Sequence, residues 1–256
     1  MAKWTRDDLM LTMNLYTKLR YGQFHKNTKE IVELSQLINK TPGAVAFKLV
    51  HLSRSDPKHK YRVKGLANPG RNAIEMYNEF TENWDKMLFD SEILLAKYKN
   101  KTIEEEYAEQ ETDIKELLKN KEGADVDRIV KTRINQSLFR KIIINNYSGS
   151  CTVCNLNLDK LLVASHILKW SENQEERLNP ENGLCLCNIH DKAFELGYIG
   201  ITPDYLINIS EELAVISEET YYSIFKRHQN QKISLPDKFH PNPDFLERHY
   251  NSLFRK

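Results

Sequence analysis

The chain has 256 residues, with 37 Lys and Arg against 36 Asp and Glu, a formal charge of +1, and 40% hydrophobic residues. That composition allows one large domain or two ordinary ones, and it excludes a disordered acidic chain and a uniformly basic nucleic-acid coat. No apolar run approaches the roughly 20 residues of a membrane span, and the opening MAKWTRDDLM lacks the basic-then-apolar layout of a secretory signal, so a cytoplasmic protein without membrane contact is expected.

Residues 1–94 read as a helical domain. Thr5 with Asp8 offers a capping box ahead of LMLTMNLYTKLRYG, whose apolar residues suit one helical face. A short helix is expected over Ile31–Ile38, a break at Asn39 and Lys40, and a second helix over Gly43–Leu52 after the cap Thr41 and Pro42. This is the layout of a helix-turn-helix. From Lys40 to Arg71 the chain carries eight Lys or Arg against the single acid Asp56, which fits phosphate contact. Lys48, Arg54, Lys58, Lys60, Arg62 and Lys64 are the candidate DNA-binding residues here.

Residues 95–124 change character. IEEEYAEQETDIKELLKNKEGAD is acidic and poor in large apolar residues, and reads as a charged, solvated helical connector. From residue 125 an amphipathic pattern returns. Ile129, Val130, Ile134, Leu138, Ile142 and Ile143 recur at helical spacing, with Arg133 and Arg140 among the basic residues between them as further DNA-binding candidates.

All four cysteines then fall in one stretch, Cys151–Gly200. Cys151-x-x-Cys154 is a knuckle that presents two thiolates to one metal ion, and Cys185-x-Cys187 follows with His190 three places on. In a reducing compartment such clustering favours a metal site over disulfides. Between the pairs, Leu162–Ile167 reads as a strand with His166 near its end. A loop rich in Glu, Asn and Pro follows, then a short strand Gly183–Cys187 and a helix from Asn188 through Leu196. Strand, loop, strand and helix around a metal make a ββα-metal unit.

These residues resemble the HNH endonucleases, and within them a bacterial restriction-type branch. The resemblance rests on Ala-Ser-His166-Ile, on Asn182 in NPENGL, and on His190-Asp191 in CNIHDKAFELG. It implies a metal-dependent DNA endonuclease in which His166 is the general base, with its tautomer set by a backbone carbonyl, and Asn182 bridges the loop. His190 has two readings. In one it joins Cys151, Cys154 and Cys187 around a structural zinc, leaving Asp191 to hold a catalytic Mg²⁺ or Mn²⁺ with Glu195, four residues on, and Ser165. In the other His190 is itself the catalytic-metal ligand, and Cys185 completes the zinc site. Ser165 stands where many members carry Asp or His, a departure that leaves one ligand position weak.

The remaining chain reads as a hairpin around Pro203-Asp204 and a helix over Ser217–His228 with Tyr221, Tyr222 and Phe225 in the core. A last helix follows, with His228, His240 and His249 read as surface groups. The expected fold is therefore α+β: a helix-turn-helix-like domain over 1–94, a connector over 95–124, and an HNH domain with structural zinc over 125–256. The expected substrate is double-stranded DNA, cut by a homodimer or in two events. The resemblance also implies a role in restriction or anti-phage defence, with modified DNA as one form of target. The competing expectation is a catalytically silent zinc-containing DNA-binding or regulatory protein.

Overall fold

The computed structural model describes residues 3–58, 69–120, 124–171 and 173–255. The chain divides into two compact units, 1–142 and 143–256.

The first unit is helical among its described residues: α1 (Arg6–Lys18), α2 (Lys29–Leu37), α3 (Pro42–Ser55), α4 (Arg71–Glu82), α5 (Trp84–Tyr98), α6 (Ile103–Ala108), α7 (Thr112–Asn120) and most of α8 (Ala124–Asn146). The capping box of α1 is formed in both directions between Thr5 and Asp8, which satisfies two backbone N–H groups that the first turn leaves open. Asn39 takes φ 51° in the turn between α2 and α3, and Thr41 Oγ1 accepts from Ala44 N at 3.2 Å to start α3. α1 is buried along nearly its whole length. Its Asn14 donates to Ser91 Oγ at 2.7 Å and to Glu92 Oε1 at 2.5 Å, Lys18 pairs with Glu92, and Tyr107 donates to Glu92 at 3.1 Å. A carboxylate with that many donors is a satisfied buried charge, and the network ties α1, α5 and α6 in one register.

Two expectations for this unit are corrected. The boundary drawn at residue 94 falls inside α5, and the acidic stretch is not a solvated connector. Ile103, Tyr107 and Ile114 are buried with Ala96, Val130 and Ile134 in a core of their own. Apolar residues spaced four and seven apart supply enough of a stripe to pack, although charges outnumber them. Ile129, expected on the apolar face of α8, is instead exposed.

The second unit begins with the end of α8 and contains β1 (Leu162–His166), β2 (Gly183–Cys187), α9 (Asn188–Glu195), β3 (Ile199–Ile201), β4 (Ile207–Ile209), α10 (Glu218–Ile224) and α11 (Pro243–Leu253). β1 and β2 are antiparallel, with Leu162 opposite Cys187 and His166 opposite Gly183. β3 and β4 form a separate antiparallel pair. Tyr147, at the end of α8, donates to the Gly183 carbonyl at 3.2 Å and so braces the start of β2. The α11 helix packs tightly behind α9 and β3. A Cβ added to Gly197, which sits at φ +77°, would meet the Leu253 carbonyl at 1.9 Å, and Arg255 N donates to the Gly197 carbonyl at 2.9 Å. Only glycine accepts both that backbone angle and that approach. Tyr222, expected in the core, is 62% exposed, whereas Phe225 is buried.

Candidate metal and catalytic centre

The Cys151–Cys154 knuckle turns on Asn155, at φ 60°, and Asn155 N donates back to the Cys151 carbonyl at 2.9 Å. β2 ends on Cys187, and α9 starts at once, which brings His190 one turn away. The ligand atoms of Cys151, Cys154, Cys187 and His190 all lie within 4.8 Å of one another. Cys154 Sγ and Cys187 Sγ are 4.0 Å apart, and His190 Nδ1 is 3.2 Å from Cys187 Sγ and 3.6 Å from Cys151 Sγ. Tetrahedral zinc with bonds of about 2.3 Å to sulfur and about 2.0 Å to nitrogen sets donor separations of roughly 3.5–3.8 Å. The four donors fit that ion. His190 Nε2 lies 3.0 Å from the Ile224 carbonyl, which takes the ring proton there and leaves Nδ1 as the ligating nitrogen.

The geometry separates the two readings of His190. Nδ1 faces the cysteine sulfurs and Nε2 the Ile224 carbonyl, an arrangement that favours the zinc reading. Cys185 is buried opposite Ala164 and is not in the cluster.

On the other side of α9, a cavity of about 240 Å³ gathers Ser165, His166, Trp170, Asp191, Glu195 and His249 along its wall. His166 Nε2 lies 2.9 Å from the Arg177 carbonyl. With the proton on Nε2 for that bond, the neutral ring keeps its basic lone pair on Nδ1. Burial pushes the His166 pKa below its usual value, the Arg177 carbonyl partly restores it, and the Arg177 guanidinium lowers it further. Arg177 in turn donates from Nε to the Trp170 carbonyl at 2.9 Å and lies over the Trp170 ring at 5.1 Å, and Trp170 meets the His166 ring edge-on at 5.3 Å.

Asn182 is buried and uses its whole amide. Its Oδ1 accepts from Leu168 N at 2.8 Å, and its Nδ2 donates to the Glu176 carbonyl at 3.0 Å and the Leu168 carbonyl at 3.3 Å. Its own carbonyl accepts from Ile167 N at 2.9 Å. The backbone on both sides of the loop is thereby held, and with it the Arg177 carbonyl that orients His166.

Asp191 is half-buried. Burial raises its pKa, a hydrogen bond from the Ser165 hydroxyl opposes this, and the neighbouring Glu195 charge adds to the rise. Glu195 is exposed and pairs with Lys192 at 2.8 Å. Asp191 and Glu195 lie four apart on one helical face, so the cavity presents two carboxylates and a hydroxyl, an all-oxygen set suited to a hard divalent cation.

His249 is the residue the sequence reading missed. It is not a surface group: it is 4% exposed and its ring lies flat on Phe194 of α9 at 3.8 Å. His228 is buried too. Nothing local marks His249, which is 58 residues from Asp191 in sequence and reaches the cavity because α11 docks against Gly197.

The DNA-binding candidates are scattered. Lys60, Arg62 and Lys64 lie outside the described residues. Lys48 Nζ sits 4.9 Å from the Trp4 ring, Lys58 and Arg133 are exposed, and Arg54 and Arg140 are half-buried. Lys40, part of the same basic run, pairs with Asp8 at 3.1 Å and serves the fold.

Antiparallel strands, a loop, a helix and a Cys₃His cluster beside an acidic cavity with a histidine make up a ββα-metal arrangement. Residues 151–202 match the family model described as HNH endonuclease, so the chain carries an HNH endonuclease domain over that stretch. Among curated proteins no relative matches the chain. No helix among the described residues is long and apolar enough to cross a membrane.

Proposed function

We propose that the protein is a metal-dependent DNA endonuclease that hydrolyses phosphodiester bonds. The observation that carries this reading is the single cavity shared by His166, Ser165, Asp191 and Glu195 within the stretch that matches the HNH family. His166 is the general base: its Nδ1 takes the proton of the attacking water while the Arg177 carbonyl holds Nε2. Asn182 positions that carbonyl. Asp191, with Glu195 and Ser165, would hold Mg²⁺ or Mn²⁺, which supplies charge stabilisation to the phosphate and the departing oxygen. Cys151, Cys154, Cys187 and His190 would hold zinc in a closed structural site.

By the family resemblance the products carry 5′-phosphate and 3′-hydroxyl ends. The helix-turn-helix-like pair α2–α3, with Lys48, Arg54 and Lys58 and with Lys60, Arg62 and Lys64 from outside the described residues, is the DNA-binding element, assisted by Arg133 and Arg140 on α8. One HNH domain cuts one strand, so cutting both strands of a duplex needs a homodimer or two events. Restriction or anti-phage defence in the cytoplasm, including attack on modified DNA, is the role this chemistry suits.

The test is cleavage of plasmid DNA, methylated and unmethylated, by wild type and His166→Ala with Mg²⁺, Mn²⁺ or EDTA. Metal-dependent nicking or linearisation that disappears in the variant is expected. Equal inertness of both proteins on every substrate, with DNA binding retained, would overturn the reading in favour of a silent DNA-binding protein.

A further inference from the structure

A second cavity, of about 500 Å³, adjoins the first, and Ile167, Lys169, His249 and Leu253 border both. The two have opposite chemistry. The first is lined by the carboxylates of Asp191 and Glu195. The second is lined by Lys169, Arg248, Asn251, Ser252 and His249, and no carboxylate is among its described lining residues. Arg248 and Lys169 are both exposed, so their cationic ends can meet a solvent-borne ligand.

His249 lies in the wall that the two cavities share. His249 Nδ1 has no hydrogen-bond partner, although the ring is almost wholly enclosed and stacked on Phe194. Burial and the nearby Lys169 charge push the His249 pKa down to about 4, against a backbone bond at Phe194 that raises it, so the ring is neutral at pH 7 and adds no third charge.

We propose that this second cavity seats the phosphodiester next to the one that is cut. Arg248 and Lys169 take its non-bridging oxygens, and His249 forms the apolar wall between this cavity and the first. Guanidinium matches phosphate with two parallel N–H···O bonds, and lysine adds a point charge. The acidic cavity holds a cation at the reacting phosphate, and the basic cavity holds the neighbouring anion, so the strand is placed by both ends of one trough. The proposal rests on the nuclease reading, and its test separates the two.

The full chain is assayed for steady-state cleavage of a labelled duplex over a salt series, as wild type, Arg248→Ala, Arg248→Lys, Lys169→Ala and His249→Gln. Arg248→Ala is expected to raise KM about tenfold, the loss of one charged hydrogen-bonding partner, with the change on KM rather than kcat. It also lowers the steepness of log(kcat/KM) against log[salt] by about 0.9, one phosphate contact fewer. Arg248→Lys restores the salt slope but not the whole of KM. Since His249→Gln can fail for packing reasons, the exposed Arg248 carries the decision. Unchanged KM and salt slope in Arg248→Ala, while wild type cleaves and His166→Ala does not, overturn the subsite and leave the nuclease reading standing. If wild type cleaves nothing, calorimetry with inorganic phosphate decides: binding that Arg248→Ala abolishes supports the phosphate site, and no binding overturns it.

Discussion

His190 and Asp191 are neighbours in the chain and belong to two different sites. Successive helical residues point about 100° apart, so α9 turns His190 into the cysteine cluster and Asp191 into the acidic cavity. On the first side every donor is spoken for: three sulfurs and Nδ1 converge, and the Ile224 carbonyl occupies Nε2. On the second side the groups are held apart around open space, with a histidine whose pKa burial has lowered and a carboxylate whose pKa burial has raised. A closed four-donor site suits structure and an incomplete oxygen-lined site suits chemistry. The comparison teaches that the cluster's work is to fix the helix from which the cavity's carboxylates project.

The strongest way to break that division is to remove the cluster. Cys187→Ser should abolish zinc binding, read as metal content per chain, and unfold the second unit. Structural zinc sites couple on the order of 10 kcal/mol of binding free energy to folding, so the lowest thermal transition should fall sharply, and a chelator should reproduce the effect on wild type. If activity survives with zinc gone, the cluster does not hold α9.

Next in size, His166→Ala should leave zinc content and melting temperature nearly unchanged while kcat falls about 10²–10⁴-fold, the usual contribution of a positioned base. That variant separates the two sides most cleanly, since it damages only the open one. Asn182→Ala sits between them. It removes three bonds to the Leu168 and Glu176 backbone and strands buried peptide groups, for about 2–4 kcal/mol of stability. It should lower kcat as well, because the Arg177 carbonyl is released from its position. A variant stable but inactive, or active but unstable, would show that only one of these roles is real.

The smallest effect is on pH dependence. A base must be neutral to work, and the neutral form of His166 is favoured because burial holds its pKa below 6.5. Activity should therefore be full at pH 7 and fall only as pH drops through that lowered value, placing the acid limb of kcat/KM below 6.5. An acid limb above 6.5 would mean that the limiting base is some other group.

Much of the centre was legible in the sequence because its parts are local. The knuckle, the two strands, the loop and α9 span 45 residues, Cys151–Glu195, and each carries its own signal: Cys-x-x-Cys, a β-favouring run ending on His166, the Asn-Pro turn, and carboxylates four apart. The caps Thr5 and Thr41 were legible for the same reason, since a cap needs only three or four residues. Reading failed where the cause was distant. Ile103, Tyr107 and Ile114 looked too sparse to form a core, and they pack because α5 and α8 bring Ala96, Val130 and Ile134 to them. Tyr222 looked like core and is exposed, because α10 is a short helix with no partner for that face among the described residues.

By itself, then, the sequence marked the residues that cluster, the histidine and carboxylates that line the cavity and the order of elements, all of which depend on residue type and short spacing. It left His190 between two metals. Tertiary structure sets its Nδ1 among the cysteine sulfurs and its Nε2 3.0 Å from the carbonyl of Ile224, 34 residues away. It alone brought His249 to the cavity, by docking α11 against a glycine whose missing Cβ leaves room for the Leu253 carbonyl. Spacing can specify which atoms are able to meet within one turn or one hairpin; which distant side chain completes a site depends on how the backbone of one element fits against another.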